Sequence, residues 1–539
     1  MNPILKDGPQ CRLEPGSQRA YDVAIVGYGP VGQALAAMLG QAGHRVGVFE
    51  RWPSLYPLPR ACVVDHEAMR ILQSVSVAEP FSRLAVPTGG EYVWLNAAGQ
   101  TLYHFRYPCD GVSGWPSRSL IYQPDLERLL DQRVKSIPQV EVHQGYEVTG
   151  LRSDADGVTI EASRCEADEN GRLQRTQERC NATARWIVGC DGANSWVRQA
   201  SGIAWEDLGF RADWLVVDVI PNDPTRELDM PEAAQICDPA RPVTLMRRMG
   251  KRHVRWEMML LPGEDAAEIT QHRNVWPMIE QWIRPDQGRI DRAAVYTFQS
   301  GVAGTWRQGR VLLAGDAAHL MPPFLGQGLC SGLRDARALF WRLDDVLAGR
   351  HEASALDLYE QERAPHVKTV IERAVALGKV VCITDPVEAA RRDESILSGN
   401  APTLPQFPTL TSGLLHKPGR DSVAGELGPQ PVVTTSGQTG LLDDVIGAGW
   451  HLLVDNDQSI PVWDARHERF AAAIGLQTVV LGDQARGASA LQWLRTRGLT
   501  AVLVRPDFYV FGGAAAPADV SPLLDDLQRQ LRSTMKVTA

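Results

Sequence analysis

The chain of 539 residues has no surplus of positive charge: 55 Lys and Arg stand against 64 Asp and Glu, a net charge of −9. Nucleic acids and anionic membrane surfaces demand clustered cations, so neither partner is expected. No apolar run reaches the roughly 18 residues of a membrane-spanning helix. Met1–Ala20 is polar, is broken by Pro3, Pro9 and Pro15, and lacks the apolar stretch of a secretory leader. The nine cysteines are odd in number and include no CxxC pair and no Cys–His grouping of zinc type. This argues against a disulfide framework, offers no metal site and points to a reducing compartment, the cytoplasm. No cysteine follows Cys382, so thiol redox chemistry is excluded from the C-terminal part. What is present is ordinary for a globular protein, 44% apolar and 22% charged residues. The length predicts about three domains of roughly 100–200 residues.

Tyr21–Gly27 is a short apolar run ending at glycine, the pattern of a buried parallel strand. Gly32–Gly43 reads as a helix and Arg45–Glu50 as a second strand, together a βαβ unit. Further strands are expected in Glu91–Phe105, Val140–Ala162 and Arg185–Cys190, with a helix over Pro124–Lys135. Trp214–Ile220, Val243–Leu261 and Arg292–Gln299 are strand-rich without long helices between them, an antiparallel layer in a second domain. The first fold resumes with a strand at Arg310–Gly315, a helix at Gly328–Leu347 and a helical stretch at Ala355–Thr384. Asp385–Thr439 turns rich in Pro, Gly, Ser and Thr, a linker or irregular segment. Beyond Gly440 strands are expected at His451–Val454, Gln477–Leu481, Ala501–Val504 and Phe508–Phe511. Helices are expected near Glu468–Ala473, Ala488–Arg497 and Val520–Leu531. The fold class is α/β. A Rossmann-like domain in three pieces (20–85, 116–204, 301–384) interleaves with an antiparallel-sheet domain (86–115, 205–300), followed by the linker (385–439) and a small α/β domain (440–539).

Three motifs carry chemistry. In Gly27-Tyr-Gly29-Pro30-Val31-Gly32, Gly27 permits a tight turn, Gly29 lets a pyrophosphate approach the backbone, and Gly32 lets helix and strand pack closely. Glu50, at the end of the second strand, is placed to accept from ribose hydroxyls. This fingerprint alone does not separate FAD from NAD. The second motif, Gly315-Asp316 followed by His319, Pro322-Pro323 and Gly326-Gln-Gly328, lies far downstream, where a nicotinamide domain needs no second phosphate-approach turn. A cofactor with a ribityl chain does: Asp316 would accept from it, and the helix opened by Gly326 and Gly328 would face a flavin's pyrimidine edge. The third is Asp191-Gly192-Ala-Asn194-Ser195, also at a strand end. Singly, each has a bland reading: an N-cap for Asp316, a packed loop residue for His319, an Asp-Gly turn for Asp191.

Taken together, in this order and spacing, the motifs resemble those of the class A flavoprotein aromatic hydroxylases, the para-hydroxybenzoate hydroxylase fold. Within that class the chain looks most like the 3-(3-hydroxyphenyl)propionate hydroxylases. Matching stretches include Pro59-Arg60-Ala61, Asp65–Leu72, Gln123-Pro124, Gln308–His319, Ser331–Ala336 and Leu503–Asp507. The resemblance implies a thioredoxin-like C-terminal domain and FAD as cofactor, with NADH or NADPH as transient co-substrate. It implies that Glu50 holds the adenosine ribose and that Arg51, Arg60 and Gln123 belong to the FAD site. Asp316 would meet the ribityl or pyrophosphate region, and Asp191 would serve both FAD and NAD(P)H. Pro322, Pro323 and the Gly326–Leu329 backbone, with Gly328 and Leu329, would line the isoalloxazine. Phe324-Leu325 and Cys330 depart from the residues common in the class.

The implied reaction is hydroxylation of a small phenolic acid, ortho or para to its hydroxyl, by NAD(P)H and O2 through a flavin C4a-hydroperoxide. A phenol has a pKa of about 10, so the site must favour its deprotonation. Tyr296, on an expected strand, and His66, near the early FAD contacts, are the candidate bases. The alternatives are a surface-facing sheet tyrosine and a polar helix-start residue. Arg247, Arg248, Lys251, Arg252, His253 and Arg255 form a basic cluster suited to a carboxylate, although a solvated hairpin is the preferred reading. A homodimer is compatible with the sequence. Rival readings are the same chemistry on a polyketide or heteroaromatic ring, and a non-catalytic flavin-binding protein. A flavin halogenase is disfavoured because its WxWxIP signature is absent.

Overall fold

A computed structural model describes residues 18–56, 60–88, 91–168, 172–400, 407–417, 423–435, 437–481 and 488–532. Cys11, Pro59 and the polar stretch up to Ser17 lie outside the described residues.

The chain begins with β1 (Gln18–Val26), α1 (Pro30–Gln41) and β2 (Val46–Glu50), then α2 (His66–Gln73). β3 (Glu91–Asn96) and β4 (Thr101–Arg106) leave for a second layer; α3 (Gln123–Lys135), β5 (Val140–Gln144) and β6 (Leu173–Gly189) return. β7 (Trp205–Pro221), β8 (Ala233–Cys237), β9 (Val243–Met249), β10 (His253–Met259) and β11 (Gly288–Ala303) build the second layer. β12 (Val311–Leu313), α4 (Gly328–Leu347) and α5 (Asp357–Val381) complete the first.

In the first sheet the parallel strands run in the order β12-β6-β1-β2-β5. Val23, Ala24 and Ile25 of β1 are wholly buried, which explains their uninterrupted apolar run. α1 packs against α3 and α4. β1, β6 and β12 lie side by side and end at Val26, Gly189 and Leu313. Ligands of open parallel sheets bind outside such carboxyl ends.

The second sheet has eight strands, running from His319–Leu320 through β11, β7, β10, β9, β8 and β3 to β4. It is antiparallel except where β8 pairs in parallel with β3, Ala234 opposite Val93. β7 and β11 are far longer than the runs expected at Trp214–Ile220 and Arg292–Gln299. One face buries Leu215, Val217, Val254, Trp256 and Met258 against the helix His272–Ile279. The other face turns toward the first domain.

The C-terminal unit reads β13 (His451–Val454), α6 (Ala465–Ala473), β14 (Gln477–Val480), α7 (Ala488–Arg495), β15 (Ala501–Val504), β16 (Val510–Ala514) and α8 (Val520–Arg532). Its sheet order is β14-β13-β15-β16, with only the first pair parallel, a thioredoxin-like arrangement. The strand expected at Phe508–Phe511 starts later, at Val510. Phe508 instead holds a left-handed φ of 75° in a turn whose ring lies under Arg70, 4.1 Å from the guanidinium carbon. The segment 385–439 is also more ordered than its composition suggests. Asp385 caps a helix at Pro386–Ser395, and Val432–Thr435 pairs with Gln438–Leu441.

Candidate active site

The fingerprint turn divides its three glycines by task. Gly27 has φ 102°, and a Cβ there would stand 2.3 Å from the Cys190 carbonyl oxygen. A Cβ on Gly32 would stand 2.2 Å from the Gly27 carbonyl oxygen, so Gly32 serves packing and does not line the cavity. Gly29 is the opposite case: nothing lies within 4 Å of its Cβ position. It caps α1 without a side-chain hydrogen bond, Pro30 follows, and no acidic residue occupies the first turn. The positive end of α1 is therefore left open. Glu50 braces the turn: Tyr28 N–H donates to Oε2 at 2.8 Å and Trp52 N–H to Oε1 at 2.9 Å.

That turn opens on a cavity of about 550 Å3. Gly27, Gly29, Pro30, Val31, Glu50 and Arg51 line it, and so do Arg60 and Gln123. Asp191 arrives from the end of β6, and Asp316 from the turn after β12. Pro323, Gly326, Gly328 and Leu329 close the far side, where α4 also begins without an acidic residue in its first turn. Two uncompensated helix N-termini thus face one cavity.

The polar groups there are positioned differently. Gln123 is a clip: its Oε1 accepts from the N–H of Arg60 (3.1 Å) and of Ala61 (2.6 Å), and its Nε2 donates to Glu127 (2.5 Å). Asp191 accepts from Ser195 Oγ at 2.5 Å and Val197 N–H at 3.0 Å. Arg198 ties its loop to the next one, donating to the carbonyls of Ala317 (2.9 Å) and Ala193 (3.0 Å). Asp335, for which the sequence suggested no role, anchors the Asp316 turn. It accepts from Gly315 N–H, pairs with His319 Nε2 at 2.6 Å and takes a bond from Arg363 at 3.0 Å. Asp316 itself has no hydrogen-bond donor among the described residues. Burial raises its pKa, which Arg60 and His319 oppose. An open glycine cradle, two helix N-termini and a half-buried acceptor without a donor among the described residues fit a long, anionic, hydroxyl-bearing cofactor.

The remaining wall is the inner face of the second sheet. Cross-strand partners share a face and alternate residues repeat it. One row is Gln235, Thr244, Glu257 and Val216; the next is Met246, Arg255, Asp218 and Arg292. Gln235, Thr244, Met246, Glu257, Val216 and Arg292 all line the cavity, as does Tyr296, with the Arg292 guanidinium 4.4 Å from its ring centroid. Burial raises the pKa of Tyr296 and of Glu257, each opposed by its neighbouring arginine, and lowers that of Arg292.

Two expectations need correction. His66 does not line the cavity: it opens α2, its ring lies against Gly111, and Nδ1 is 3.2 Å from Ser113 Oγ. The basic cluster is not one solvated hairpin. Arg248, Lys251 and Arg252 are exposed at the turn, but His253 and Arg255 are buried, because β10 is covered on both faces. Asp218, Glu257, Arg292 and the cavity-lining Tyr56 and Arg118 escaped sequence reading. Their one signal, charged residues alternating with apolar ones, is also the signal of an exposed strand.

The model of the FAD binding domain matches residues 20–374, and that of the HcaD C-terminal domain matches residues 425–530. A "Probable NADH-specific resorcinol 4-hydroxylase" of Rhodococcus jostii (strain RHA1) is 38% identical, covering 95% of this chain and 96% of that one. A 3-(3-hydroxy-phenyl)propionate/3-hydroxycinnamic acid hydroxylase of Mycobacterium avium (strain 104) is 34% identical over 94% of this chain and 92% of its own. The solved flavin-dependent monooxygenase PieE, in complex with FAD and substrate, shares the fold, with a TM-score of 0.75 at 21% identity over 96% of this chain and 100% of that one. The chain therefore belongs to the FAD binding domain family, among the FAD-dependent aromatic hydroxylases.

Proposed function

We propose that this chain hydroxylates a small phenol with NADH and O2, ortho or para to the phenolic hydroxyl. One observation carries the reading: the cofactor turns and the polar sheet face line a single cavity. When bound there, FAD supplies the hydride-accepting and oxygen-activating chemistry. The protein supplies position and field. Glu50 and the open end of α1 would hold the adenosine and pyrophosphate end, with Arg51, Arg60 and Gln123 beside it. Asp316 would accept from the ribityl chain, and the Pro323–Leu329 turn with the N-terminus of α4 would take the flavin ring. Asp191 orders the loop next to both FAD and NADH. Phe298 and Phe324, both packed on Trp214 at ring distances of 5.8 Å, keep water from the reacting ring.

The charges on the sheet face are matched, Arg255 and Arg292 against Asp218 and Glu257, which favours an uncharged phenol. A second reading, a phenolic acid, rests on Arg118. It lines the cavity with the rings of Tyr92 and Tyr107 each 5.4 Å away, and no carboxylate among the described residues pairs with it. The cytoplasm, with its NADH and reduced thiols, is the compartment this activity suits. A homodimer is part of the reading, checked by light scattering.

The test is direct. Purified protein should be yellow, its NADH oxidation should rise on adding resorcinol or 3-(3-hydroxyphenyl)propionate, and the product should gain one oxygen from 18O2. R118M should lose the acid substrate and keep resorcinol if the second reading holds. A colourless protein, or NADH oxidation indifferent to every phenol, overturns the proposal; turnover only with a larger polyketide or heteroaromatic ring moves it to that substrate class.

A further inference from the structure

On the sheet wall of the cavity, Glu257 presents a carboxylate oxygen that no donor among the described residues reaches. Register seats Glu257 of β10 between Thr244 of β9 and Val216 of β7, on the face lined by Tyr296 and Arg292. The residue is only 5% exposed. Arg255 reaches Oε1 at 3.5 Å, and among the described residues no hydrogen bond reaches Oε2. Of the other cavity carboxylates, Glu50 accepts from two backbone N–H groups, Asp191 from Ser195 and Val197, Glu147 from Arg175, and Glu127 from Gln123 at one oxygen, away from the sheet wall. Asp316 sits by the cofactor turn, on another wall.

We infer that Glu257 is the proton acceptor for the substrate hydroxyl. This rests on the phenol-hydroxylase reading above. The O–H proton passes to Glu257 Oε2, giving a carboxylic acid and a phenolate, and the electron pair of the broken O–H bond stays on the phenolic oxygen. One negative charge moves from the carboxylate to the substrate, so the charge held near Arg255 and Arg292 is unchanged in sum. The groups facing Glu257 are Arg255 on its own strand, Asp218 of β7, Arg292 of β11 and the Cys62 thiol of the loop beside α2. Burial makes the carboxylate more basic than a solvated one, which favours proton transfer to it. Tyr296 is unsuited to that task. Burial keeps its hydroxyl protonated, so it donates to the substrate oxygen and positions it.

The test compares the FAD-loaded parent with E257Q and E257D, using resorcinol and NADH, from neutral pH up to the phenol's own pKa of about 10. For E257Q we expect hydroxylation at neutral pH to fall at least about 100-fold, the scale of general base catalysis. Its rate should climb about tenfold per pH unit as solvent ionises the phenol, while the parent profile stays flat. FAD content and the resorcinol Kd, read from the flavin absorbance, should be unchanged within about threefold, and E257D, which keeps a carboxylate, should regain rate and the flat profile. E257Q activity within about fivefold of the parent at neutral pH, or a loss by one factor at every pH, overturns the assignment. If E257Q fails to fold or to hold FAD, E257D decides: a steep pH slope in a folded, FAD-loaded E257D also overturns it. A parent that oxidises NADH without hydroxylating any phenol defeats the functional reading as well, whereas failure confined to the variants defeats only the role of Glu257.

Discussion

Arg255 and Asp218 meet across β10 and β7 as a buried two-point pair: Nε donates to Oδ1 at 2.7 Å and Nη2 to Oδ2 at 3.0 Å. The remaining terminal nitrogen of Arg255 donates to the Arg60 carbonyl at 2.9 Å, joining the substrate sheet to the cofactor loop. Breaking a buried pair costs about 3–5 kcal/mol when the remaining charge is left uncompensated, a cost that Arg292, 3.6 Å from Asp218, reduces here. R255M should therefore lower the melting temperature and release FAD during gel filtration. Adding D218L should restore part of the stability but not the FAD, because the Arg60 contact is still missing. Parent-like FAD retention in R255M would show that the link is not needed.

The glycines at 27 and 29 should separate folding from cofactor binding. G29A places a methyl group in open space and should leave apoprotein stability within about 0.5 kcal/mol of the parent. It should nevertheless weaken FAD binding at least about tenfold, by crowding the pyrophosphate cradle. G27A drives a methyl group into the Cys190 carbonyl at a positive φ and should reduce the yield of folded protein. FAD titration and thermal melts of both variants check this.

Asp316 is a half-buried carboxylate without a hydrogen-bond donor among the described residues. Burial raises its folded pKa above the unfolded value, so the unfolded chain loses this proton first and stability falls as pH rises through that interval. D316A should melt higher than the parent as apoprotein at neutral pH, yet bind FAD more weakly. A variant that is less stable without FAD would contradict the unpaired state of this group.

Glu127 should give a measurable pH window. Burial lifts its pKa from 4.5 to about 7 against the hydrogen bond from Gln123. The folded state then holds a proton that the unfolded chain has released, and stability drops as pH rises from 4.5 to about 7. E127Q should remove that decline and gain up to about 3 kcal/mol above neutral pH, with little change near pH 4.5. Melting temperature against pH for parent and variant reads the difference.

What the sequence determines by itself is whatever a short stretch of backbone demands. A strand that must turn at once into a helix around an anion needs glycines at 27, 29 and 32, and Glu50 follows from the length of one βαβ unit. The turns at Asp191 and Asp316 were legible as far-apart strand ends because each pairs a run of buried apolar residues with a small-residue turn. The inner face of the second sheet was not legible. Arg255, Glu257 and Asp218 alternate with Val254, Trp256 and Val217 as they would on a half-exposed strand. Only the tertiary structure shows that both faces are covered, one by a helix and the other by the cofactor domain. His66 erred for the same reason, since closeness along the chain to Arg60 says nothing about which side of α2 its ring takes. Local rules reach the cofactor loops because their chemistry is backbone chemistry. The substrate wall is set by strand register between residues as far apart as Val93 and Ala234, 141 positions, which a single chain read in order does not display.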